Sequence, residues 1–76
     1  MDFFVEARTE LERAFIKHGD INSLHEGYAV LLEEVDELWD EIKKRTESRD
    51  LNNLKLECIQ IAAMAGKIHH YISNME

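Results

Sequence analysis

The sequence predicts an all-α fold, an antiparallel bundle with three helices per chain, as a single domain over residues 1–76. Three observations lead there. Apolar residues recur at three- and four-residue steps along most of the chain, and no stretch alternates polar and apolar residues for long enough to read as a strand. There is no proline, and the turns between the periodic stretches are short, which makes the helices antiparallel neighbours. The 45% hydrophobic content suffices for a core and argues against disorder.

The first helix is expected from about Asp2 to His18. Phe4, Ala7, Leu11, Ala14 and His18 form its apolar stripe, Phe15 thickens it, and Gly19 sits where a C-cap is wanted. The second opens on Ser23-Leu-His-Glu26, a capping-box pattern. Its seam is Leu24, Tyr28, Leu31, Val35, Leu38 and Ile42, and Lys43, Lys44 and Arg45 close it, where cations favour the helix dipole. The third starts near Asp50 after a polar turn and runs to the C-terminus, with Leu51, Leu54, Cys58, Ile61, Ala65, Ile68, Ile72 and Met75 as its seam.

A chain this short buries only about 60% of its unfolded surface. Cys58 is the sole cysteine, so no disulfide compensates, and a lone thiol suits a reducing, cytoplasmic setting. Oligomerisation is therefore expected to complete the bundle, as a homodimer or homotetramer, with Tyr28 and Trp39 packing in the core or at that interface. No apolar run reaches the ~20 residues of a membrane span, and the opening Met-Asp-Phe-Phe lacks the basic flank of a secretion signal. Sixteen acidic against nine basic side chains, a formal charge of −7, argue against direct nucleic-acid binding, but permit binding of phosphate through metal ions.

Six acids lie between residues 33 and 41. On a helical wheel at about 100° per residue, Glu33, Asp36 and Asp40 fall away from the seam, whereas Glu34, Glu37 and Glu41 form a stripe beside it. Like charges at such spacings repel, and a cation between them removes that cost. The third helix carries a matching stripe of Asn53, Glu57, Gln60, Met64, Lys67 and Tyr71, in which Glu57 is the only acid. If the two seams pack together, Glu34 and Glu37 face Glu57 and Gln60. Carboxylate and amide oxygens are hard ligands suited to Mg²⁺ or Mn²⁺. The alternative is an exposed acidic flank with Glu57 at the edge of the core. The four histidines and Cys58 lack the spacing of a zinc site. Cys58 is expected to be a small buried hydrophobe and His25 a surface or cap residue.

Leu32-Glu-Glu-Val-Asp-Glu-Leu38 followed by Asn53-Leu-Lys-Leu-Glu-Cys-Ile-Gln60 resembles the MazG-like all-α nucleoside triphosphate pyrophosphohydrolases, whose pattern is Glu-x-x-Glu on one helix and Glu-x-x-Asp on the next. His25-Glu-Gly-Tyr-Ala and Ile61-Ala-Ala-Met-Ala65 are similar to short phage-encoded members, and the likeness runs from about Ser23 to Ile72. The resemblance implies hydrolysis of a nucleoside triphosphate to the monophosphate and pyrophosphate. Glu34, Glu37 and Glu57 would hold Mg²⁺, with Mn²⁺ as the other candidate ion; Glu37 is the candidate acceptor for the proton of the attacking water. Gln60 stands at the fourth ligand position, where the family has Asp; an amide oxygen binds metal without adding charge. Glu41, one turn further along the stripe, is a candidate for the missing carboxylate. Lys67 and Asn53 are candidate substrate contacts. Two other readings stay open: a nucleotide-binding relative that has lost catalysis through Gln60, and a structural helical module whose acids only solvate it.

Overall fold

Three helices and one single-turn 3-10 segment, with no strand, make up residues 2–75, which the computed structural model describes. Helix α1 is Phe3–His18, α2 is Leu24–Ile42 and α3 is Leu51–Ser73; the 3-10 turn, Thr46–Ser48, lies between α2 and α3.

Each helix starts on a side-chain oxygen that satisfies a backbone N–H the first turn leaves without a partner. Asp2 accepts from the Phe4 N–H at 2.8 Å, Ser23 from Glu26 at 3.0 Å and Asp50 from Asn53 at 3.1 Å. The Glu26 carboxylate does not return to Ser23, as a full capping box requires. It takes the backbone N–H and side-chain amide of Asn22, two donors one residue further out. At the end of α1, Gly19 adopts a φ of 69° and donates to the Phe15 carbonyl at 2.8 Å. Only glycine takes this left-handed conformation without strain. The α2 C-terminus is closed by Arg49, whose Nε donates to the Ile42 carbonyl at 2.9 Å.

The order of packing departs from the expectation of neighbouring helices in sequence. Both α1 and α2 pack on α3 and not on one another. Leu11 lies against Gly66 of α3, and Phe15 meets His70 edge to face at 5.0 Å. On the other flank Ile68 approaches Gly27, where an added Cβ would stand 3.0 Å from Ile68 Cγ1 and 2.7 Å from Ile21 Cδ1. Gly27 is thus the close-approach point of α2 and α3.

With a single neighbour, α2 cannot bury its whole apolar arc. Its inner row is Gly27, Leu31, Glu34, Leu38 and Glu41, while Leu24, Tyr28, Leu32, Val35, Trp39 and Ile42 are exposed to solvent. The seam expected for α2 is therefore turned partly outward, and the edge that carries the carboxylates meets α3. The same rotation holds on α3. Ile59, Ala63, Met64 and Lys67 are its buried residues, whereas Leu51, Ala65, Ile72 and Met75 are exposed. Cys58, expected to be buried, is exposed. In α1, Phe4 and His18 lie outside the packed stripe of Ala7, Leu11, Ala14 and Phe15. Among the described residues, no helix is long and apolar enough to cross a membrane.

The molecule measures 46 × 27 × 19 Å, with a radius of gyration of 13.5 Å. A compact domain of this length has a radius near 11.4 Å. Its accessible surface is 5763 Å², about 950 Å² more than the ~4,800 Å² usual for a monomer of this mass.

Candidate metal centre

The rotation of α2 and α3 has a chemical result. One carboxylate oxygen from each of Glu34, Glu37 and Glu57 lies within 4.8 Å of the others. Glu34 and Glu37 sit one helical turn apart on α2, and Glu57 reaches them from α3. These are the three acids singled out from the sequence, and the structure brings them together.

Three carboxylates this close repel. Burial, and next the charge of Glu37, push Glu57 above the usual carboxylate range. Burial, then Glu37 and Glu57, do the same to Glu34. Glu57 Oε2 is fully buried and has no hydrogen-bond partner. A buried carboxylate oxygen without a donor is unfavourable in a folded chain unless something else occupies its lone pairs. The donor set is all oxygen and strongly anionic, so the residues fit a hard divalent cation.

Gln60 lies one turn beyond Glu57 on α3, half-buried. Its Nε2 donates to Glu10 Oε1 of α1 at 3.1 Å, while Arg13 holds Glu10 Oε2 at 3.3 Å. With the amide nitrogen committed to α1, the carbonyl oxygen is the atom left for other partners. Glu10 went unremarked in the sequence reading. The signal was present, because Glu10 flanks the Ala7–Leu11–Ala14 stripe at the angle by which Glu34 flanks its own seam.

Glu41 does not join the cluster. Its Oε1 accepts the Asp50 N–H at the start of α3, and its Oε2 accepts from Lys44 Nζ at 2.7 Å. Both oxygens are occupied, which removes Glu41 as the missing carboxylate. The Lys44 hydrogen bond, and after it the Asp50 N–H, hold Glu41 below the usual carboxylate range. Asn53 is half-buried in the first turn of α3, one turn before Glu57. Lys67 is buried, 6% exposed, with Nζ 5.5 Å from the Phe15 ring centroid. Glu33, Asp36 and Asp40 are exposed, and Asp40 pairs with Lys43 at 3.0 Å in solvent. His25 is exposed as well.

No family model, no curated protein and no solved structure matches the chain.

Proposed function

We propose that this chain is a divalent-cation-dependent nucleoside triphosphate pyrophosphohydrolase, of the kind its paired acidic motifs resemble. The observation that carries the reading is the convergence of Glu34, Glu37 and Glu57 around the buried, unpartnered Oε2 of Glu57. The motif resemblance and the side-chain geometry are separate lines of support for the same three residues.

Glu34 and Glu37 would hold the cation from α2 and Glu57 from α3, and the Gln60 carbonyl, whose amide nitrogen donates to Glu10, would be a neutral fourth ligand. Mg²⁺ or Mn²⁺, when bound, supplies positive charge to phosphate oxygens and activates water. That charge also accounts for how an acidic chain accepts a polyanion. Glu37 is the exposed member of the three, so it is the one that solvent reaches, and it accepts the proton of the attacking water at a carboxylate oxygen. Glu34 and Glu57, more buried, hold their positions against α3 and α2.

A second copy, in a homodimer or homotetramer, covers the exposed stripe of α2 and completes an antiparallel bundle. The excess surface of about 950 Å² supports this, being close to the ~800 Å² that each partner buries in a stable interface. The exposed, unpaired Cys58 suits a reducing, cytoplasmic setting.

Pyrophosphate release from a panel of ribo- and deoxynucleoside triphosphates, with Mg²⁺ and Mn²⁺, tests the reading. Turnover by the parent and its loss in Glu57→Gln are expected; no release from any nucleotide with either ion overturns it. The bond between Gln60 and Glu10 favours one second reading, a relative that binds nucleotide without turnover, because an amide stands where a fourth carboxylate would add charge. Nucleotide binding with no pyrophosphate release distinguishes it.

A further inference from the structure

Because α1 and α2 both pack on α3 and not on one another, a groove runs between them, with Glu10 on its α1 wall, Glu34 on its α2 wall and Gln60 and Lys67 on its α3 floor. Gln60 thus stands between an acid of α1 and an acid of the carboxylate cluster. Neither acidic motif extends to α1, yet α1 brings one carboxylate to this point. That contact is unusual for α1, which holds no buried residue. Among the described residues, the 3.1 Å bond from Gln60 to Glu10 is the one hydrogen bond between α1 and α3.

The chemistry of that bond decides which way the amide turns. An ionised carboxylate only accepts, so Gln60 meets Glu10 with Nε2 and not with Oε1. Nitrogen and oxygen are the two arms of one planar amide, and fixing the first fixes the second. Without Glu10 the amide has two orientations, and one of them aims N–H groups at a cation. Glu10 is itself held, because Arg13 Nη1 lies 3.3 Å from Oε2 and leaves Oε1 for Gln60. Arg13 is an exposed side chain, so solvent screens that pair more than it screens the part-buried bond to Gln60. A charged acceptor also strengthens the hydrogen bond and polarises the amide, which places more negative charge on the carbonyl oxygen.

We infer that Glu10 is a positioning residue of the cation centre: it holds the Gln60 amide with the carbonyl oxygen free to ligate, and its charge, acting through the amide, stands in for the carboxylate that residue 60 lacks. Outer partners of this kind orient metal ligands and raise their donor strength. Glu10 lies outside both acidic motifs, and its role rests on the cation centre proposed above. The first helix then does more than pack on α3; it supplies the acid that makes a neutral fourth ligand serviceable. Arg13 keeps that acid in place from one turn away on the same helix.

The experiment is calorimetric titration with Mn²⁺, without nucleotide, of the parent, Glu10→Gln, Gln60→Ala and the double variant. Glu10→Gln keeps an acceptor at the same reach, removes the charge and lets the two amides pair either way round. It is expected to weaken Mn²⁺ binding roughly tenfold, the effect of removing an outer partner of a metal ligand. In the Gln60→Ala background the same change should alter affinity by less than about threefold, because Glu10 acts through the amide. An acid that only docks α1 would shift the melting temperature and leave Mn²⁺ affinity unaltered. Equal affinity in parent and Glu10→Gln therefore overturns the inference alone and leaves the pyrophosphohydrolase reading standing. An equal loss with and without Gln60 also overturns it, since Glu10 would then act by charge through space. A parent that binds no Mn²⁺ removes the cation centre and the role of Glu10 together. Should Glu10→Gln fail to fold, Glu10→Asp takes its place in the cycle. It keeps the charge but falls short of the amide, so weaker binding is expected and unchanged binding has the same force against the role of Glu10.

Discussion

Glu41 and Glu34 lie on the same helix, the same stripe and two turns apart, yet the fold treats them in opposite ways. Glu41 meets the start of α3, where the Asp50 N–H and Lys44 satisfy both its oxygens. Glu34 meets the middle of α3, where Glu57 lies close to it and to Glu37, and among the described residues it forms no ion pair. The first is a clamp that ties the end of α2 to the beginning of α3. The second is a concentration of charge that the fold itself leaves uncompensated. A carboxylate with a donor on each oxygen contributes to the folded state; a cluster with an orphaned oxygen lowers stability until a ligand fills it.

That contrast breaks first if metal fails to act at one site only. Saturating Mg²⁺ or Mn²⁺ is expected to stabilise the parent, by about 2.7 kcal/mol at a hundredfold excess over Kd. Thermal melts should show the rise vanish in Glu57→Gln and persist in Glu41→Ala. Glu41→Ala should melt below the parent with or without metal, because Asp50 N–H and Lys44 lose their acceptor. An unaltered metal response in Glu57→Gln would remove Glu57 from the centre.

Gln60→Asp sharpens the comparison by adding charge to the uncompensated site. Without metal it is expected to lower stability by about 1–2 kcal/mol, since the Glu10 bond is lost and a carboxylate replaces its donor. With Mn²⁺ the affinity should rise, because charge count governs binding at oxygen sites. Chemical denaturation and calorimetric titration measure the two halves. Unchanged affinity would mean that residue 60 faces α1 alone.

Removing charge should have the reverse effect. Metal-free Glu57→Gln is expected to gain about 0.5–1 kcal/mol from relief of two like-charge contacts. The pH dependence follows the same division. Glu34 and Glu57 are raised in the folded chain, so between the ordinary carboxylate value and their raised values the native state holds more protons, and stability falls as pH rises through that window. Glu41 is lowered, so its contribution is present at neutral pH and is lost as pH falls through its depressed value. Melts across pH should therefore flatten on the higher side in Glu57→Gln and on the acid side in Glu41→Ala. The smallest effect is expected outside both regions. Asp36→Asn and Asp40→Asn should change stability by under about 0.5 kcal/mol and leave the metal response intact, since both are solvated.

The three helices, the caps at Ser23 and Gly19 and the carboxylate cluster were legible in the linear sequence, while the capping oxygens of Asp2 and Asp50 were read only as helix starts. The periods, Ser23, Asp50 and Gly19 are local signals, and local hydrogen bonding in the first and last turns acts on them directly. Glu34, Glu37 and Glu57 were found because an acid beside an apolar seam stands close to whatever that seam packs on. Rotation was not legible. An apolar arc wider than one neighbour can cover offers several ways to pack, and a wheel does not choose between them. The choice was made by α3, which takes both other helices. That turns Cys58, Tyr28 and Trp39 outward and carries the carboxylate edge inward. For the same reason Glu10 reached Gln60, Glu41 went to Asp50 instead of the cluster, and Lys67 came to line a groove between two helices that do not meet. Sequence fixes which residues share a helix face, since that depends on 3.6 residues per turn. Which faces meet depends on side chains far apart in the chain, and only the assembled helices decide it.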